Sequence, residues 1–151
     1  MKKFTFKLDS VLSLRLHKER LVMQEVGALT QELARVKAVM AALEKERFEV
    51  EGNLAQRMSG GMSGAELQGV QAYIKGIAGQ WGEELALCDK VQLYLDAKRG
   101  ELARCAVDRK AMETLRDRQR EAFLREQDAE QRKQDEETVL VHRAAMARNR
   151  K

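Results

Sequence analysis

Proline is absent from all 151 residues, and aromatic side chains make up only 5% of them. A proline inside a helix removes a backbone donor and clashes with the preceding turn, so its absence leaves long helices uninterrupted. So few aromatic rings make a large globular core difficult to fill. There is no apolar run near the roughly 18 residues that cross a bilayer, which excludes a transmembrane span. The start, Met1-Lys2-Lys3-Phe4-Thr5-Phe6-Lys7-Leu8-Asp9, is basic without a following apolar stretch, and so makes a poor signal peptide.

Residues suited to catalysis are equally scarce. The two histidines, His17 and His142, stand at opposite ends of the chain, and the two cysteines, Cys88 and Cys105, are seventeen residues apart. On one helix that spacing is about 25 Å at 1.5 Å per residue, too far for a disulfide. Reduced thiols in a cytosolic protein are the simple reading. No His/Cys/carboxylate spacing forms a metal set. Ser59-Gly60-Gly61-Met62-Ser63-Gly64 lacks the Lys-Ser/Thr of a phosphate loop and reads as a turn. Asp135-Glu136-Glu137 reads as a solvated acidic face, since helical neighbours i and i+1 point apart. The sequence therefore predicts no enzyme, cofactor or metal.

Charge and helix formers are abundant. Charged residues are 34% of the chain, with 28 Lys+Arg against 24 Asp+Glu, a net charge of +4. This composition is that of long helices or coiled coils. Residues 109–133 hold eight basic and six acidic side chains, so phosphate would be repelled as well as attracted and nucleic acid is not an expected partner. The tail, His142-Arg143 and Arg148-Asn149-Arg150-Lys151, reads as a solubilising end.

A heptad register runs through the first half: Leu8, Leu12, Arg15, Glu19, Val22, Val26, Leu29, Leu33, Val36, Met40, Leu43, Arg47, Val50, Leu54 and Arg57. Eleven of these fifteen positions are apolar, which marks a left-handed coiled-coil seam. Thr5 or Asp9 could cap its start. After the Gly/Ser cluster, Ser63-Gly64-Ala65-Glu66 forms a capping box for a second helix. The second seam visits Leu67, Val70, Ile74, Ile77, Trp81, Glu84, Cys88, Val91, Leu95, Lys98, Leu102 and Cys105, then fades through Arg109, Met112, Arg116, Gln119, Phe123 and Glu126. Cys88, Cys105 and Trp81 read as seam residues, whereas Tyr73 sits one residue off it and is a candidate partner contact.

The predicted fold is all-α: two long helices in an antiparallel coiled-coil hairpin, helix 1 over about 5–58, a turn at 59–64 and helix 2 over about 65–147, forming one domain. The paired helices would run about 80 Å at 1.5 Å per residue. A parallel dimeric scaffold, the generic alternative, would need helices straight through the Gly-rich cluster. With the turn centred near residue 62, each helix 1 residue faces the one numbered about 124 minus its own position. Helix 2 would then overhang from about residue 120, and deleting 120–151 should spare the coiled coil.

Three segments resemble the flagellar FliJ proteins of the bacterial export apparatus. Phe4-x-Phe6-x-Leu8-x-x-Val11-Leu12 is similar to the family's opening. Arg109-Lys110-x-Met112-Glu113-x-Leu115-Arg116-x-Arg118 resembles its pattern late in helix 2, and Glu130-Gln131-Arg132-Lys133-Gln134-Asp135-Glu136 its C-terminal signature. Phe123 departs from the family, where tyrosine is usual, as does the glycine-rich entry to helix 2. The resemblance implies a stalk-like coiled coil that binds and promotes the hexameric flagellar export ATPase and links it to the membrane export gate protein. Some members also handle export chaperones. It also implies a cytoplasmic location, peripheral to the inner face of the membrane. Injectisome stalk proteins share the shape and are the alternative. The candidate ATPase-binding set is Arg125, Glu130, Arg132, Lys133, Asp135 and Glu136, and the candidate export-gate contact is Tyr73 with Ile77.

Overall fold

A computed structural model describes residues 2–150; Met1, and Lys151 of the basic tail, lie outside the described residues. The chain is all-α, as its composition and periodicity require, with two long helices packed antiparallel against each other. These are α1 (Asp9–Ser59) and α2 (Gly64–Asn149).

The start of α1 corrects the sequence expectation. Helix begins at Asp9, not near Thr5, and neither Thr5 nor Asp9 occupies the cap. Leu8 contributes the first helical carbonyl, accepting from the Leu12 N–H at 3.0 Å, while the Asp9 N–H donates to Phe6 O at 3.2 Å. Asp9 is instead the first helical residue, where its carboxylate faces the positive end of the helix dipole.

The connection is shorter than expected. Gly60 and Gly61 N–H groups donate to Arg57 O and Met58 O, tightening the last turn of α1. Gly61 then takes φ 91°, a conformation that glycine adopts without a Cβ clash. Ser63 caps α2: its Oγ accepts from the Glu66 N–H at 3.2 Å and its carbonyl from the Leu67 N–H at 3.1 Å.

The chain divides into two units, one comprising Glu19–Arg104 and the other joining the chain up to Lys18 with the chain from Cys105 onward. In the first, α1 and α2 pack along the expected seam. Leu33 clusters with Val91 and Leu95, flanked by Val26, Leu29, Leu87 and Cys88. Val36 and Leu95 are wholly buried, whereas Leu29, expected to be buried, is half-buried. Such a shallow seam is what two helices without a third layer provide. Lys98, at a seam position, turns its head outward to Glu25 and Glu101. Those hydrogen bonds hold its ammonium above the usual lysine range, the Glu25 bond contributing most.

Not every seam position is satisfied. Trp81 Nε1 and Glu84 Oε2 are both buried with no hydrogen-bond partner. Nearby, Gly76, Gly79 and Gly82 continue the helix, and a Cβ at each would meet nothing within 4 Å. Replacing any one of them with alanine should therefore stabilise the protein by about 0.8–1 kcal/mol, through helix propensity alone. The expected rise in thermal midpoint is about 2–4 °C per substitution. A fall at any of the three would show that the glycine answers a packing need.

In the second unit, Phe6, Leu12 and Met112 form the core, with Phe4, Val11 and Leu16 against them. Arg15 donates to Asp108 O at 3.0 Å. Residues 2–8 are not helical; they form an arm laid along α2, where the Phe4 and Phe123 ring centroids lie 5.6 Å apart. Gln127 Nε2 donates to Lys2 O at 2.7 Å. Helix α2 is therefore covered as far as Gln127, and the expectation that it runs unpaired from about residue 120 is corrected. Extended chain advances about 3.3 Å per residue against 1.5 Å in a helix, so the arm reaches further along α2 than a helical start would.

Candidate functional site

Beyond Gln127 every described residue of α2 is exposed. Continued helix here needs no new nucleus, since each added residue extends a helix already formed by the paired part. Local interactions support it. Gln131 Nε2 donates to Asp135 at 2.9 Å and Thr138 Oγ1 to Gln134 O at 2.8 Å. The Gln131–Asp135 pair contributes about 0.2–0.5 kcal/mol, whereas the Thr138 bond to a backbone carbonyl adds no helix stability. Arg148 in the last turn complements the dipole.

The candidate ATPase-binding residues fall on both sides of that boundary. Arg125 precedes it and pairs with Glu121 at 3.2 Å, both largely exposed. Such an ion pair adds little stability, since solvent screens it. Glu130, Arg132, Lys133, Asp135 and Glu136 lie on the open stretch, and Asp135 is engaged with Gln131. Arg132 and Lys133 make no ion pair among the described residues. Their charges are therefore directed at solvent, and recognition there would be electrostatic and salt-sensitive.

Tyr73 and Ile77, proposed together, are separated by burial. Tyr73 is 52% exposed, while Ile77 is 5% exposed within the seam. Ile77 packs the hairpin and has no open surface for a partner; of the two, only Tyr73 does. The Tyr73 hydroxyl donates to the Glu46 carboxylate across the hairpin. That hydrogen bond, with the carboxylate's charge, holds the phenol above the ordinary tyrosine range. Because the folded state favours the protonated phenol, its contribution to stability is present at neutral pH. It is lost as pH rises through the raised folded value. In a Tyr94→Phe background, tyrosinate absorbance should titrate above the ordinary value of about 10, and Glu46→Gln should lower that midpoint. Equal midpoints would show that the contact does not persist in solution.

Among the described residues no group of three or more His, Cys, Asp or Glu is placed to hold a metal ion. Cys105 is buried and Cys88 half-buried, both as free thiols. No helix among the described residues is long and apolar enough to cross a membrane. What the molecule offers is surface: an uncovered, charged helix on one unit and an aromatic hydroxyl on the other.

A family model, described as the flagellar FliJ protein, matches residues 4–149. The chain belongs to the FliJ family. The match takes in the N-terminal arm from Phe4 onward and the open stretch of α2. FliJ proteins are components of the flagellar export apparatus, which gives this chain its setting. No curated protein and no solved structure matches it.

The sequence reading passed over Val139, Leu140, Val141 and Met146. These side chains are 49%, 64%, 69% and 55% exposed, the densest group of open apolar side chains on the uncovered helix. The signal was present as Val139-Leu140-Val141, apolar neighbours standing where the seam has no partner.

Proposed function

We propose that this FliJ protein is a non-enzymatic stalk that binds the hexameric export ATPase and promotes its assembly and activity. The carrying observation is the part of α2 after Gln127, a folded helix whose described residues are all exposed. A helix uncovered on all sides presents its whole circumference, which suits insertion into a ring. Arg132 and Lys133 are the side chains to which we assign electrostatic recognition, with Glu130, Asp135 and Glu136 supplying the opposite sign and Arg125 a secondary contact. Tyr73 is the proposed contact with the membrane export gate protein, and export chaperones are further candidate partners. The protein then works at the inner face of the membrane, without inserting into it.

The test is stimulation of the cognate ATPase by wild-type protein and by Arg132→Glu/Lys133→Glu. Among the described residues neither side chain has an ion pair to lose, so circular dichroism and the thermal midpoint should be unchanged. Stimulation should fall on the order of tenfold at low salt, with the difference narrowing as ionic strength rises. Undiminished stimulation by the folded double variant would place recognition elsewhere.

A further inference from the structure

We propose that Val139, Leu140, Val141 and Met146 form the apolar anchor of the ring contact, received in a protein socket that encloses the helix and carries carboxylates on its wall. This inference rests on the proposed reading that the helix beyond Gln127 is the ATPase-binding element. Three observations carry it.

The first is exposure. Each of these side chains is about half or more open to solvent, on a stretch of helix whose described residues are all exposed. A helix meant only to remain solvated gains nothing from Val139 and Val141, whose branched side chains favour helix less than Glu, Lys or Gln do. Clustered open apolar side chains mark an interaction surface.

The second is angular distribution. Successive helical residues point about 100° apart, so Val139, Leu140 and Val141 face three different sides. A membrane surface or a single partner helix covers one side and leaves the others wet. A helix apolar on several sides is one that becomes surrounded.

The third is charge. From Thr138 to Arg150 there is no carboxylate, whereas Arg143, Arg148 and Arg150 are cationic; Asp135, Glu136 and Glu137 lie just upstream. A wall with carboxylates beside residues 143–150 complements this segment, and the charge reversal at Glu137 fixes how far the helix enters.

The experiment compares binding to the cognate export ATPase hexamer by wild-type protein, by deletion of 128–151, and by Val139→Ala/Leu140→Ala/Val141→Ala. Alanine is the strongest helix former, so the triple variant keeps the helix while removing apolar surface. Its affinity should fall on the order of a hundredfold, because each buried aliphatic side chain contributes substantially to the contact. Arg143→Glu/Arg148→Glu should weaken binding on the order of tenfold at low salt. If the deletion binds as wild type does, the ring-binding reading of this helix fails and the anchor with it. If the deletion abolishes binding and the alanine triple does not, the anchor alone is overturned. Parallel arms use vesicles containing phosphatidylserine and sedimentation of the free protein. Vesicle binding that needs residues 139–141 without ring binding would assign the segment to a membrane. A concentration-dependent dimer lost in the triple variant, again without ring binding, would assign it to a second copy. Either result overturns the socket.

Discussion

Leu95→Ala should destabilise the protein by about 3 kcal/mol, within the 2–5 kcal/mol range of buried leucine truncation. Leu95 is wholly buried and clusters with Leu33 and Val91, so truncation removes apolar surface and leaves a cavity. A two-helix layer relaxes into a cavity more readily than a globular core, which keeps the cost below the top of that range. The thermal midpoint should fall by about 6–12 °C. Leu33→Ala should cost less, about 2 kcal/mol, because Leu33 retains 9% exposure at the seam's edge. Leu95→Met preserves volume and should cost under about 1.5 kcal/mol. If Leu95→Ala and Leu95→Met melt together, burial at this position does not hold the hairpin.

The seam was legible because coiled-coil burial depends on little besides spacing. Leu12, Val22, Leu33, Val36, Ile77, Val91, Leu95, Cys105 and Met112 all lie on the two registers read from sequence, and all are buried. The pairing rule was also legible, since Arg15 meets Asp108 and Lys98 meets Glu25 close to where a turn near residue 62 places them. What the registers could not convey is depth. Leu29 occupies the same register and stays half-buried, because exposure within a two-helix seam depends on the side chains opposite.

The arm was misread for a different reason. Counting residues one for one across the hairpin assumes helix on both sides, but Phe4-x-Phe6-x-Leu8 alternates with a period of two, which is the spacing of extended chain. From Leu12 back to Lys2 is ten steps, and these cover the fifteen steps of α2 from Met112 to Gln127. The surplus follows from the longer rise of non-helical backbone. The candidate set, Arg125 to Glu136, rests on that expected overhang, and of its members only Arg125 precedes the boundary at Gln127. A set chosen by charge alone leaves out Val139-Leu140-Val141, apolar side chains that have no seam to join.

Moving the boundary to Gln127 changes what a truncation should do. A protein ending at Gln127 retains Phe123 against Phe4 and the Gln127 hydrogen bond to Lys2 O. Everything it lacks is exposed, so its thermal midpoint should match wild type, and its helical signal should fall only by the share of the deleted residues. A protein ending at Gln119 loses both contacts, while Phe6 stays packed on Leu12 and Met112. Half-buried rings contribute less than fully buried ones, so that cut should cost about 1–2 kcal/mol, which corresponds to a midpoint lower by about 2–8 °C. Both truncations should fail to stimulate the export ATPase, since both lack the open helix. The pair thereby separates the two roles of α2: one cut removes function at constant stability, and the other removes both. Phe4→Ala in the full-length chain completes the test. It should lower the midpoint about as far as the cut at Gln119, yet leave ATPase stimulation intact, because the helix beyond Gln127 does not depend on the arm. Full stimulation by the protein ending at Gln127 would move the contact onto the paired helices. Equal midpoints for the two truncations would show that the arm does not hold α2 in solution.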